Sequence, residues 1–545
     1  MTLKRFHSVV LAGCVLCALM AHAVEVPKIA KSGSGGQLIV NGQPYLILGG
    51  ELGNSGAGTA AQADSILPRV AQLHVNTVLM PVAWEQIEPV EGKFDFSILD
   101  HWIDVAREQH LHLVVLWFGS WKNGFSNYAP AWVKEDTKRF PRAVSADGAD
   151  LEILSTLGTE TVKSDSRAFS EVMKHIREKD QDQQTVLMAQ VENEVGYLGR
   201  GRDRSASANR LFQSPVPPEL IHRLQNNRDS FSPELRTHFN AAGTSWPLVF
   251  GDAADEVFMA WNYARYIEAV TAQGKQAYPL PMYVNCQLPA PAERAGEYPS
   301  GGPHPYYLEV YRATAPSIDF YSPDIYWPNF EYWIDRYRFD GNAVFVPEAR
   351  LESAPYNALY AYGEAGAFGF SAFAIDSLQI APKEHDAGPG LNDVYDVLGS
   401  MSDILLAHQA SGTTRGLVLH SNSPRPTQTV ALGDYLFEGT LSRSWPAKTL
   451  MEDDGAMIIV QSTANEFYIA GSGLTVSFFR NPDVDARVSG IASVEEVSRS
   501  NGNWTTLRRL NGDQTNQGRQ LSMAPHQVNV YRVLLFSTDR TPREH

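Results

Sequence analysis

Between residue 38 and about residue 410, short β-branched, apolar runs alternate with longer amphipathic stretches, and they do so eight times. That rhythm is the pattern of βα units feeding a parallel sheet, and eight such units close into a barrel. The runs expected as strands are Tyr45–Gly49, Thr77–Val82, His112–Trp117, Thr185–Val191, Pro281–Asn285, Ile318–Tyr321, Ala343–Val346 and Phe368–Ala374. After the second, Ser97-Ile-Leu-Asp100 offers a capping-box-like helix start, and Ile98, Leu99, Trp102, Val105 and Ala106 then share one face. From Gly199 to about Trp246 the rhythm breaks, with Arg200-Gly-Arg-Asp-Arg204, then Pro215, Pro217 and Pro218. An elaborated loop after the fourth strand, at the barrel mouth, is expected there.

Two of the expected strands run straight into a glutamate. Val186-Leu-Met-Ala-Gln-Val-Glu192-Asn193-Glu194 does so at strand four, and Ala343-Val-Phe-Val-Pro-Glu348 at strand seven. In a barrel of this kind the C-terminal strand ends carry catalysis. A carboxylic acid and a carboxylate facing each other across a sugar bond are the usual equipment of a glycosidase. With 61 acidic residues in the chain, a carboxylate after an apolar run also arises by chance. It is the pairing of the two within the eightfold pattern that makes the signal specific.

Near residue 410 the grammar changes to short alternating strands punctuated by Asn, Gly and Asp. Examples are Met457–Gln461, Glu466–Ala470, Leu474–Phe479 and Val528–Phe536. The fold class expected is therefore α/β, a (β/α)8 TIM barrel over 38–410 followed by an antiparallel β-sandwich over 411–545, each within the usual range for a domain. Residues 1–23 read as a signal peptide: Lys4 and Arg5, an apolar run from Val9 to Met20, then Ala21-His22-Ala23 at the cleavage site. Residues 24–37, with their short Ser/Gly tract, read as a linker. Export to the periplasm or medium follows, and Leu11-Ala12-Gly13-Cys14 leaves open a lipoprotein anchored at Cys14.

Cleavage would leave Cys286 as the one cysteine, so the mature chain must stand without an internal disulfide. The formal net charge of −16 becomes more negative once Lys4 and Arg5 leave. Such a surface repels phosphate backbones and anionic lipids, which argues against nucleic-acid partners and, unless Cys14 is lipidated, against membranes. No His-x-x-x-His pair or cysteine cluster is present, so no metal is expected. His101 reads as a surface residue of its helix. No phosphate-cradling glycine loop and no Gly-x-Ser-x-Gly elbow appears either, so no cofactor is expected and a serine hydrolase is not supported.

Asn76-Thr-Val78 leading through Val82-Ala-Trp84-Glu85 to Glu88-Pro89-Val-Glu-Gly92-Lys-Phe94-Asp95-Phe96 resembles the second-strand signature of glycoside hydrolase family 35, the β-galactosidases. Gln190-Val-Glu192-Asn193-Glu194-Val195-Gly196 resembles that family's acid/base motif, although the Asn-Glu pair is shared by the wider clan of retaining (β/α)8 glycosidases. The resemblance covers about residues 38–400, and the C-terminal domain resembles the accessory domain of a bacterial branch. It implies Glu194 as acid/base, Glu348 as nucleophile and Asn193 as a partner of the sugar 2-hydroxyl. Tyr326, in Ser322-Pro-Asp-Ile-Tyr326-Trp327, resembles the clan tyrosine that touches the nucleophile.

By position after strands one to three, Glu51, Trp84, Trp121 and Lys122 are further candidates for the sugar. Glu192 falls on Glu194's side of the pleat one layer deeper and reads as an orienting carboxylate. Asp324 and Asp376 read as structural hydrogen-bond acceptors. The sequence departs from the better-known members in Val195, where a tyrosine is usual, in Gly49-Gly-Glu51-Leu-Gly-Asn54 and in Trp117-Phe-Gly-Ser-Trp121-Lys122-Asn123. These departures bear on the galactose contacts more than on the reaction.

The reading that follows is an exported, retaining exo-β-galactosidase acting on galactose-containing oligosaccharides, such as those released from plant hemicellulose, xyloglucan included. A second reading is another retaining glycosidase of the clan, a β-glucosidase, mannosidase or arabinosidase. A third is a carbohydrate-binding protein on a retired catalytic scaffold.

Overall fold

The structure is a computed structural model that describes residues 25–33, 35–290, 293, 295–378, 390–444, 448–451, 454–485 and 487–539. The signal sequence expected over residues 1–23, Cys14 included, lies outside the described residues.

The stretch read as a linker forms strands instead. β1 (Lys28–Ser32) and β2 (Gly35–Val40) pair antiparallel across a tight turn, and β3 (Gln43–Tyr45) completes a three-stranded sheet. Gly33, left-handed at φ +57°, lies where the hairpin turns. Leu38 and Val40 of β2 are buried in one cluster with Leu79, Leu116, Met188, Tyr283, Phe320, Phe345 and Phe368 from the barrel interior. The sheet thus plugs the barrel floor, each side chain contributing about 1.5–3 kcal/mol by burial.

The barrel opens with β4 (Ile47–Glu51), α1 (Ala60–Ala71), β5 (Thr77–Ala83), the one-turn α2 (Trp84–Ile87) and α3 (Ser97–Glu108). α3 buries Leu99, Trp102, Ile103, Val105 and Ala106 against the barrel. Its expected capping box is not formed. Phe96 is the N-cap, and Asp95 Oδ1 instead accepts the Ser97 N–H at 2.9 Å. His101 is on the surface, 2.8 Å from Asp64.

There follow β6 (His112–Lys122), α4 (Ala131–Glu135), the hairpin β7 (Arg142–Val144) and β8 (Asp150–Leu154), α5 (Thr159–Asp180) and β9 (Val186–Asn193). After β9 the expected open loop is helical: α6 (Ala206–Gln213), α7 (Pro218–Asn226), α8 (Pro233–His238) and α9 (Trp246–Phe250) precede α10 (Ala254–Ala277). Helices this short show too few turns for a period to register. Their start signals were present: the side chains of Ser205 and Ser232 cap α6 and α8, and a proline stands in the first turn of α7, α8 and α9.

The remaining units are β10 (Met282–Gln287), α11 (Leu308–Thr314), β11 (Phe320–Asp324), α12 (Phe330–Asp335), β12 (Phe345–Val346), α13 (Ala354–Gly363) and β13 (Gly369–Ala372). The eight strands run in the order β11-β10-β9-β6-β5-β4-β13-β12, every pair parallel. Between β11 and β12 a side chain replaces most of the ladder. Asn342 accepts from Tyr321 N at 2.9 Å and donates to Tyr321 O at 3.0 Å, and one backbone bond, Ile325 N to Glu348 O at 2.8 Å, completes the closure.

α14 (Leu391–Ser400) and α15 (Ser402–Ser411) lead into the C-terminal strands β14 (Thr414–His420), β15 (Thr427–Leu432), β16 (Tyr435–Leu441), β17 (Asp454–Gln461), β18 (Glu466–Ser472), β19 (Leu474–Arg480), β20 (Val488–Ser500), β21 (Asn503–Leu510), β22 (Gln520–Ser522) and β23 (Asn529–Thr538). They form two antiparallel sheets, β14-β17-β18-β23-β20-β21 and β15-β16-β19-β22. The period-two alternation has two destinations. Met457 and Ile459 face a core shared with Phe437, Val476 and Leu521 of the smaller sheet, whereas Ala456, Ile458 and Val460 join the core of the barrel. α13, every residue of it buried, lies between barrel and sandwich, and Gly363 approaches so closely that an added Cβ would stand 2.8 Å from Arg415 O.

Candidate active site

β4 and β6 extend past their expected ends, so Glu51 and Lys122 are strand residues rather than loop residues. They meet Asn193 and Glu194 at the end of β9, Asn285 on β10, Asp324 on β11, Tyr326 just beyond it and Glu348 after β12. One carboxylate oxygen from each of Glu194, Asp324 and Glu348 lies within 4.8 Å of the other two.

Glu348 is held by donors on both oxygens. Tyr326 donates to Oε2 at 2.7 Å, and the amides of Asn193 and Asn285 each stand 3.4 Å from Oε1. The Lys122 ammonium, 5% exposed, is 4.0 Å from the same Oε1 and donates to Asn193 Oδ1 at 2.8 Å. Burial pulls the Lys122 pKa down, but Glu348, Glu194, Glu51 and Asp324 together carry it above the usual value. The ammonium is therefore a fixed positive charge among acids.

Glu194 follows the last residue of β9 in a left-handed conformation, φ +43°. Its N–H donates to Asn285 Oδ1 at 2.9 Å. Two residues on, Gly196 lies so close to the 296–302 segment that an added Cβ would be 2.1 Å from Pro299 O. Burial, and then the negative charge of Glu348, push the Glu194 carboxyl up to about 7, against the opposing pull of Lys122 and a hydrogen bond with Asp324. Asp324, which accepts from Asn285 Nδ2 at 2.7 Å, is itself raised well above the carboxylate range by burial and by Glu348 and Glu194.

Asn285 belongs to no motif in the sequence, yet it accepts from the Glu194 N–H, donates to Asp324 and reaches Glu348. Its place at the expected end of strand five was the available signal, since strand ends face the mouth. Asp324 also exceeds the structural role read for it. Asp376 does not: its Oδ1 accepts the Gly53 N–H at 2.8 Å behind β4.

Three sequence expectations are corrected. Trp84 is fully buried outside the barrel, its indole donating to Glu88 Oε2 at 2.9 Å and set edge-on to Trp132. Trp121 is fully buried against Tyr263 and Tyr266 of α10 and donates to Leu154 O at 3.2 Å. Neither tryptophan faces the acidic cluster. Glu192 likewise points to the helix layer, where Oε2 accepts the Trp121 N–H at 2.8 Å and burial, with Asp165 beside it, raises its pKa well above normal. A left-handed φ of +61° at Glu192 inverts the strand alternation on which the other placement rested.

The trio Glu194, Asp324 and Glu348 is the only group of three potential ligands found together among the described residues. Asn285, Tyr326 and Lys122 already direct donors and charge at it, so the acids are matched to protons rather than to a cation. What the arrangement can do chemically is hold one carboxyl protonated near neutrality beside a second that is oriented and surrounded by donors.

Residues 57–225 match the glycoside hydrolase 42 family model, described as beta-galactosidase, and residues 391–522 match a domain of unknown function, DUF5597. The first match, over residues 57–225, supports a glycosidase. No curated protein matches the chain. Among solved structures, the chain is similar to the beta-galactosidase from the psychrophilic Marinomonas ef1 (12% identity over 66% of this chain and 60% of that one, TM-score 0.45). It is also similar to the beta-galactosidase from Rahnella sp. R3 (14%, 61% and 50%, TM-score 0.41) and to a beta-mannanase from the blue mussel Mytilus edulis (12%, 66% and 94%, TM-score 0.39). The chain thus spans 60% and 50% of the length of the two beta-galactosidases.

Proposed function

We propose that the protein is an exported retaining exo-β-galactosidase of the family 35 type, removing terminal β-galactosyl residues from oligosaccharides by double displacement. The observation that carries this reading is the distance between Glu194 and Glu348, whose nearest oxygens lie within 4.8 Å of each other. A retaining pair stands about 5–5.5 Å apart, whereas an inverting pair is separated by about 6.5–9.5 Å to admit a water.

Glu348, oriented by Tyr326, Asn193 and Asn285, attacks the anomeric carbon while Glu194, protonated near neutrality, gives its proton to the departing oxygen. Formation of the glycosyl ester removes the negative charge of Glu348. With that charge gone, the Glu194 pKa falls, and the same group takes a proton from the water that releases the sugar. Asn193 is set to bond the sugar 2-hydroxyl, with Lys122 fixing its carbonyl. The beta-galactosidase description of the matched family supports galactose as the sugar.

The test is a panel of nitrophenyl glycosides with the released sugar followed by NMR. The β-galactoside should turn over fastest and β-galactose should appear first. A preference for gluco-, manno- or arabinosides would overturn the sugar, and initial release of the α anomer would overturn the mechanism. Export is tested by sequencing the N-terminus of the secreted protein, expected at Val24.

A further inference from the structure

Glu51 is fully buried in the cluster, and among the described residues no donor reaches either of its oxygens. Lys122, the one ammonium nearby among the described residues, is bonded to Asn193 and lies beyond ion-pair distance from Glu51. The groups that face Glu51 are Glu348, Lys122 and Glu194, with the Tyr283 phenol and Asp324 also near. Nor can the side chain swing out to water. β4 is clamped directly behind it by Leu52 N to Leu79 O at 3.1 Å and Gly53 N to Asp376 Oδ1 at 2.8 Å, and Gly50 is packed against Ile375.

An ionised carboxylate in that position, without a hydrogen bond and beside other acids, would cost several kcal/mol. A neutral carboxylic acid has a use for the position, because its O–H has an acceptor in Glu348, the carboxylate it meets. We propose that Glu51 is a permanently protonated positioning residue that donates a hydrogen bond to the nucleophile, rather than a carboxylate that binds sugar hydroxyls. This rests on Glu348 being the nucleophile. No proton is transferred: the Glu51 O–H bond is retained throughout. The hydrogen bond is strong to the free Glu348 carboxylate and weak to its neutral glycosyl ester. It therefore favours departure of Glu348 from the sugar, and the second half of the reaction gains most.

Two variants and one spectrum test this. Glu51→Gln keeps a donor in the same shape, so it should retain kcat within about threefold and leave the pH–rate profile superimposable on that of the wild type. Glu51→Leu removes the donor. Its kcat should fall about 10- to 100-fold, the worth of a hydrogen bond to a charged group. KM should fall with it, as the glycosyl enzyme accumulates. Difference infrared spectra at pH 7 should show a protonated-carboxyl carbonyl band in the wild type that is absent from Glu51→Gln. The spectrum needs neither substrate nor a surviving Leu variant, so it separates this inference from the proposed activity. A missing band, or a Gln variant as impaired as the Leu variant, would overturn the proposal.

Discussion

The Tyr326 hydroxyl donates to Glu348 Oε2 at 2.7 Å, joining the end of the sixth barrel strand to the end of the seventh across the weakest-laddered part of the sheet. Burial, and next the Glu348 charge, push the phenol pKa far above its usual value, so it remains a donor at every working pH. Tyr326→Phe should lower kcat about 10- to 100-fold with a smaller effect on KM, because it removes one charge-assisted bond and little else. Steady-state kinetics with a nitrophenyl galactoside measures this.

Glu194→Ala and Glu348→Ala should fail differently. The first loses about 10²- to 10⁴-fold on substrates whose leaving group needs a proton, and much less on activated aryl galactosides. Azide should accelerate that variant and give a β-galactosyl azide. In the Glu348 variant azide can take the place of the nucleophile and give the α-azide, whereas an α-azide from the Glu194 variant would reverse the assignment, so both adducts are identified by NMR.

With its carboxyl raised to about 7, Glu194 loses its proton as pH rises through that value, and kcat/KM should fall there. The Lys122 cation opposes that rise. Lys122→Met should therefore carry the alkaline limb to higher pH while lowering kcat, since Asn193 also loses its partner. An alkaline limb that moves to lower pH would contradict the charge arrangement.

Away from the cluster, Glu256 on α10 is buried with Oε1 accepting the Gly301 N–H at 2.9 Å, and burial raises it from 4.5 to about 7. The folded state thus holds this proton more tightly than the unfolded chain. Its full stability is present below about pH 4.5 and is lost as pH rises to 7. Glu256→Gln mimics the protonated form, so it should match the wild type near pH 4.5 and exceed it at pH 8 by up to the order of 3 kcal/mol. Urea unfolding at the two pH values reads the difference.

The barrel was legible because parallel strands buried on both faces write long apolar runs, and Glu194 and Glu348 because each closes such a run. Glu51 and Lys122 were found by position, although the strands that carry them were expected to stop short. Trp84 and Trp121 were misplaced for a physical reason. Sequence distance from a strand end does not tell which side of the sheet a residue faces once the chain leaves the pleat. The inversion at Glu192 shows the same limit, since a positive φ at a glutamate leaves no compositional trace. The β1–β2 hairpin was hidden by a Ser/Gly tract that reads as a linker, and the helices after β9 by their brevity.

Truncation before β14 should give an aggregating protein rather than an active barrel. α13 would lose the sheet that covers it, exposing a helix with no polar face. Recovery of a monomeric, active fragment ending near residue 411 would refute this.

Asn342 has a consequence for how the enzyme fails. The seam it stitches is the part of the barrel with the fewest backbone bonds, and Asp324 and Tyr326 stand on one bank with Glu348 on the other. Warming loosens such a joint first. The spacing on which bond cleavage depends will therefore drift while the remaining strands are still intact, and heat inactivation will run ahead of melting.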